Sequence, residues 1–284
     1  MIGYYEGFIN YIKNYWTINM LSGNDNSHLD IEEKISKMIK DPNLLPNDKK
    51  IVELYCEKKI SKSMLIKYLE RHETTLLRGK IHLMILLLSP IWIFYMLYIS
   101  KTYSTKLATS ISLICIFFNS FASFLLHNFE WTPNYYFLVE KLDHIGIFLM
   151  ISGSGFPVAA LLLNNIKLLY YIIMHSLSSL LGILCICCSY FSTGNRAKRA
   201  FTYVIAGFLH TFFFKDYLIL LYAKELVFLV MIGTLYVLGA IVYSLKKPNI
   251  ISGIFGFHEL FHVCCLGSIL FTFALIRSVL MRKS

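Results

Sequence analysis

From about position 81 to the C-terminus, long apolar runs alternate with short polar interruptions. The runs are near or above the ~18–20 residues that a helix needs to cross the hydrocarbon core of a bilayer. Seven can be marked off, at 81–100, 106–127, 139–163, 168–191, 200–221, 226–243 and 253–277. No stretch shows the two-residue alternation of a membrane barrel, so helices remain the way to satisfy the backbone in lipid. The pattern therefore predicts an all-α fold, a polytopic bundle of seven transmembrane helices occupying residues 81–284. Pro90 falls inside the first run and predicts a kink. Lys215-Asp216 interrupts the fifth, either as an intramembrane pair or as an early exit from the membrane.

The first eighty residues read differently, as a cytosolic or interfacial helical region. Residues 1–21 are aromatic and broken by charges, which is not the pattern of a signal peptide. Phe8, Ile12 and Trp16 recur every four residues, with Tyr5 and Ile9 on the same helical face and Lys13 away from it. Such a helix either lies in the membrane interface or packs on the next segment, and the second reading is favoured. Residues 30–72 are polar and helical. Asp30 with Glu33 resembles a capping box, Asn47 or Asp48 can cap 49–58, and Ser61 can cap 64–71. Nothing in this region points to chemistry.

Composition agrees with a membrane protein. Of 284 residues 56% are hydrophobic and 15% charged, where a soluble domain carries about 25% charge. The net charge of +10 does not indicate nucleic acid, because Lys and Arg gather in the N-terminal region and the short connections. Lys67, Arg71, Arg78 and Lys80 precede the first run; Arg196, Lys198 and Arg199 join the fourth to the fifth; Lys246 and Lys247 join the sixth to the seventh. The positive-inside rule then places the N-terminus in the cytosol, against the contrary weight of Lys101, Lys106, Lys167, Arg277, Arg282 and Lys283. Seven cysteines show no framework spacing. Cys185, Cys187 and Cys188 are expected to pack mid-span as small hydrophobes.

The candidate chemistry sits at the run ends. His258-Glu259-Leu260-Phe261-His262 places two histidines at i and i+4, on one helical face and within reach of a single metal ion. The second run ends with Ser123 and His127, again at i and i+4. The third begins with Glu140, Asp143 and His144. If the spans alternate, the end of the second and the starts of the third and seventh share one face of the membrane. Ionisable groups inside spans are costly and mark function. Three imidazoles with a carboxylate, converging from three helices, are the makeup of a catalytic zinc site with a position left for water. The bland alternative is that each histidine caps its own helix among the headgroups.

Ser123-x3-His127, Lys141-Leu-Asp143-His144-Ile-Gly-Ile-Phe-Leu and Phe255-Gly-Phe-His258-Glu-Leu-Phe-His262 together resemble the haemolysin III family. That family is related to the progestin and adiponectin receptors and, more remotely, to the alkaline ceramidases. Gly233-Thr-Leu-Tyr236-Val-Leu-Gly239-Ala-Ile-Val-Tyr243 is similar to its sixth span. The resemblance covers about 81–277. It implies seven helices with a cytosolic N-terminus and zinc held by His127, His258 and His262. It further implies that Asp143 contacts the metal-bound water and that Ser123 stands behind it. Two departures concern the cavity wall more than the ligands. Gly153-Ser154-Gly155-Phe156-Pro157 stands where the family usually reads Gly-Thr-Tyr-Thr-Pro, and Phe271 replaces a family histidine.

The resulting expectation is an integral membrane protein that hydrolyses a lipid amide or ester with zinc, in the manner of a ceramidase. A receptor or sensor with structural zinc and a cytolytic pore are the alternatives. No span carries the charged stripe of a channel. A zinc peptidase built on His258-Glu259-x-x-His262 would need a third ligand further along, and only a short tail follows. Glu259 receives a minor role, Cys265 is expected to pack, and His144 is a candidate to bond a ligand from behind. His175 and His210 are expected to be satisfied core histidines. The partner is a membrane lipid, as substrate or ligand. Its identity, the host membrane and the oligomeric state are not encoded legibly.

Overall fold

The computed structural model describes residues 44–69, 75–188, 196–251 and 253–283. The expected helix around Phe8–Trp16, the Asp30/Glu33 capping box and Arg71 lie outside these residues. Two compact units divide the chain.

In the smaller unit, α1 (Pro46–Cys56) and α2 (Lys62–Leu69) meet around Ile51, Val52, Leu65, Tyr68 and Leu69. Residues 130–137 belong to the same unit. Tyr136 and Phe137 pack on its core, and the Tyr68 hydroxyl donates to the Trp131 carbonyl at 2.7 Å. The start of α1 corrects the capping expectation. Pro46 opens the helix after Leu45, because its missing N–H is one the first turn leaves unbonded anyway, and neither Asn47 nor Asp48 serves as the cap. At α2 the Met64 N–H does donate to Ser61 Oγ, at 3.3 Å.

Seven helices, all but residues 133–137 of the third within the larger unit, are long and apolar enough to cross a membrane: Lys80–Ile99, Tyr103–Asn128, Pro133–Leu162, Asn165–Cys187, Ala197–Leu220, Ala223–Leu245 and Phe257–Lys283. Each predicted run overlaps one of them, and among the described residues there is no strand. The fold is an all-α seven-helix bundle. Thr102 and Asn164 cap the second and fourth spans with their side chains.

Pro90 does not interrupt the first helix. A proline frees the carbonyl four residues earlier, and here the Ser89 hydroxyl donates to that carbonyl, Leu86 O, at 2.7 Å. The third span is two helices, Pro133–Ser154 and Phe156–Leu162, meeting at Gly155. The fifth tightens into a 3-10 turn at Leu209–Phe213, which no sequence signal announced.

The seventh span is the most buried of the seven. Ile269, Phe273, Ile276 and Leu280 stand in the main core, and Phe273 stacks on Trp92 of the first span at 4.9 Å between ring centres. Close approach of the second and third spans depends on Gly146, where any Cβ would lie 2.8 Å from the Asn119 Cα. That contact lays Ser123 of one helix alongside Asp143 of the other.

Three charge and cysteine expectations change. Asp216 pairs with Lys167 of the fourth span, not with its neighbour Lys215, so the two charges join helix ends. Arg199 is not a loop charge. It lies inside the fifth span, 2% exposed, hydrogen-bonded to Tyr243. Cys187 and Cys188 close the fourth helix and are exposed; only Cys185 packs against a core cluster.

Candidate metal centre

The histidines converge at the end of the bundle where the first, third, fifth and seventh spans begin. His127 reaches it from the last turn of the second span, and His258 and His262 from the first turns of the seventh. One nitrogen from each of the three lies within 4.8 Å of the others, a grouping that could hold a metal ion. His127 Nε2 and His258 Nε2 are 3.3 Å apart, with their rings nearly perpendicular. His262 is 4% exposed, and its Nε2 is buried with no hydrogen-bond partner among the described residues. An apolar interior does not tolerate such a nitrogen without cost, and a lone pair set among two other imidazoles suits a metal ligand.

A residue absent from the sequence reading completes the group. His82, 2% exposed in the first turn of the first span, sets its Nε2 2.7 Å from His262 Nδ1. One turn earlier Arg78 Nε donates to Glu259 Oε1 at 3.1 Å. Backbone bonds from Leu76 N to Gly253 O and from Leu77 N to Ile254 O join the same two segments. Gly79 makes this entry possible. Its φ is +76°, and a Cβ there would meet His127 Cβ at 2.9 Å and the Asn128 amide closer still. The available signal was topological. The start of the first span belongs to the same membrane face as the other three clusters, and His82 is an ionisable group inside an apolar run.

Glu259 has a structural assignment. It is fully buried, and its second oxygen accepts the Gly256 N–H at 2.8 Å, closing the start of the seventh helix. With one oxygen on that amide and the other on Arg78, it is not poised as a general base, although His-Glu-x-x-His reads literally as a peptidase motif.

Asp143 and Ser123 do meet across the second and third spans. The carboxylate lies against the Ser123 hydroxyl, which is 1% exposed and makes no hydrogen bond of ordinary geometry among the described residues. Both line a cavity of about 580 Å³ together with His82, His258 and His262. Away from this polar end the walls are mainly apolar, with Met150, Val158, Phe208, Tyr217 and Ile276 among them. Asp143 and Val158 lie fifteen positions apart on the third span, so at about 1.5 Å per residue the cavity runs for about 22 Å. That exceeds the ~15 Å depth of one leaflet's hydrocarbon.

The remaining histidines part company. His210 lines the cavity and donates from Nε2 to the Ile151 carbonyl at 3.1 Å, as a satisfied core residue should. His175 packs 4.2 Å from it, ring centre to ring centre, and neither of its nitrogens has a hydrogen-bond partner among the described residues. Cys265 is 5% exposed and packs within the bundle while lining the cavity. His144 lies 3.9 Å from Glu140 and borders the cavity.

Seven apolar helices around an internal polar end define an integral membrane protein with a candidate metal centre. Residues 71–273 match the model of the haemolysin-III related family, and the chain belongs to that family.

Proposed function

We propose that the protein is a zinc-dependent lipid hydrolase, cleaving a ceramide-like amide or a lipid ester whose acyl chain enters from the bilayer. The observation that carries the reading is the histidine triad, two of whose members, His258 and His262, line the polar end of a long apolar cavity. Zinc fits the donors. It favours imidazole nitrogen in tetrahedral sites, and a metal–nitrogen bond of about 2.0–2.1 Å then separates two ligand nitrogens by about 3.3 Å. His127 and His258 show that separation.

Bound zinc supplies a Lewis acid that polarises a carbonyl and makes water reactive at neutral pH. The protein supplies the rest. Asp143 takes a proton from water on a carboxylate oxygen and returns it to the leaving amine or alkoxide. Ser123 holds that carboxylate in register. The apolar walls receive the acyl chain and exclude bulk water. On the same reading the metal end faces the cytosol, because Arg78, Lys80, Lys198, Lys246 and Lys247 flank it.

A receptor or sensor with structural zinc is the second reading. It is favoured by the way the ligands tie the second span to the seventh while His82 ties in the first. Asp143→Asn separates the two. The purified variant should keep its zinc and lose about 10²–10⁴-fold in product formation from ceramide-like amides or lipid esters, read by mass spectrometry. Undiminished turnover would remove Asp143 from the chemistry. A zinc-loaded wild type inert toward the whole panel would favour the receptor.

A further inference from the structure

One buried imidazole takes no part in that chemistry. His82 belongs to the first span, 180 positions before the histidine it touches, and it is among the most deeply enclosed side chains of the bundle. Its Nε2 lies 2.7 Å from His262 Nδ1, with the two rings at 87°. Two neutral imidazoles bond in this way only if one donates and the other accepts. If His262 carries its proton on Nδ1 and donates it to His82 Nε2, the His262 Nε2 lone pair is free. That nitrogen has no hydrogen-bond partner among the described residues, and neither has His82 Nδ1, which would then carry the proton of its own ring. If the roles were reversed, His262 would carry its proton on Nε2 and could not ligate.

Resting on the metal-site reading, we propose that His82 is a positioning residue that fixes the tautomer and ring plane of His262, so that Nε2 is presented for a metal. Ligating histidines generally hold their second nitrogen on a carboxylate, a backbone carbonyl or water. Here a second histidine takes that place. The clamp is two-pronged, since Arg78 grips Glu259 one turn away on the seventh span, and the backbone bonds from Leu76 and Leu77 join the same segments. Arg78 holds the start of the helix, and His82 holds the ligand. His82 is a part of the machinery that the pattern of ligands alone does not reveal.

The test compares wild type with His82→Phe, which fills the space without an acceptor, and with His82→Gln, whose amide oxygen can accept from Nδ1. Zinc affinity is read by chelator competition, and cobalt-loaded protein gives the visible absorption of the ligand field. His82→Phe should bind zinc about 10–100-fold more weakly and show altered cobalt bands, while His82→Gln recovers most of both. Size-exclusion profiles and apo-protein melting serve as controls for folding. Wild-type affinity and unchanged cobalt bands in a folded His82→Phe would overturn the positioning role alone. So would equal losses in the Phe and Gln variants. Failure of the wild type itself to bind zinc would overturn the metal reading and this inference with it.

Discussion

Replacing Glu259 tests whether the His-Glu-x-x-His sequence is chemical or architectural. The carboxylate is fully buried, bonded at 3.1 Å to Arg78 and at 2.8 Å to the Gly256 N–H. Glu259→Gln keeps the shape and an acceptor for that amide but removes the charge opposite Arg78. Breaking a buried pair costs about 3–5 kcal/mol when the remaining charge is stranded. Arg78 is 16% exposed, so water relieves part of this, and about 2 kcal/mol is the expected loss. Glu259→Ala also abolishes the cap, adding about 1 kcal/mol. Thermal unfolding in detergent should therefore rank wild type above Glu259→Gln and Glu259→Ala lowest. Both variants, assayed below their melting points with zinc in excess, should keep the metal, and Glu259→Gln should turn over lipid close to the wild-type rate. A Glu259→Gln protein as stable as wild type, loaded with zinc and inactive would refute the structural assignment and make Glu259 a chemical group.

Gly146→Ala should destabilise by about 1–3 kcal/mol, as overpacking does, because its Cβ meets the Asn119 backbone. The same variant should lose activity by parting Ser123 from Asp143, and wild-type melting with full activity would contradict that packing. Gly207 lines the cavity, and a Cβ there would have no neighbouring atom within 4 Å, so a side chain at this position should leave stability unchanged. Gly207→Leu is then expected to raise KM for long-chain substrates while sparing short ones; a uniform effect across chain lengths would count against the cavity as the acyl site. Lys167→Ala should change stability by less than about 1 kcal/mol, since its pair with Asp216 is 46% and 21% exposed. A loss of several kcal/mol would place that pair within the apolar interior.

The seven helices were legible because apolar length alone encodes a span, and each predicted run coincides with a helix to within several residues. The triad was legible for a similar reason. Spacing of i and i+4 and the alternation of spans put His127, His258 and His262 on one face without knowledge of any contact. What remained hidden depends on packing between distant segments. His82 has no helical companion of its own kind, and its meaning comes only from His262, 180 positions away. Glu259 was ambiguous because a first-turn acid reads the same as a cap or as a base until its oxygens are seen to be occupied. Arg199 looked like a loop charge from its basic neighbours, but Tyr243 of the sixth span receives it inside the bundle. The 3-10 turn at Leu209–Phe213 and the His175 nitrogens, without hydrogen-bond partners among the described residues, likewise reflect neighbours that linear spacing does not reveal.

The most direct measurement is the metal content of the detergent-purified protein by mass spectrometry, beside the double variant His258→Ala/His262→Ala. One zinc per chain in the wild type and none in a folded double variant is the expected result. A folded wild-type protein that carries no metal and takes none up from excess zinc would contradict the metal centre, and with it both the hydrolase and the zinc-receptor readings.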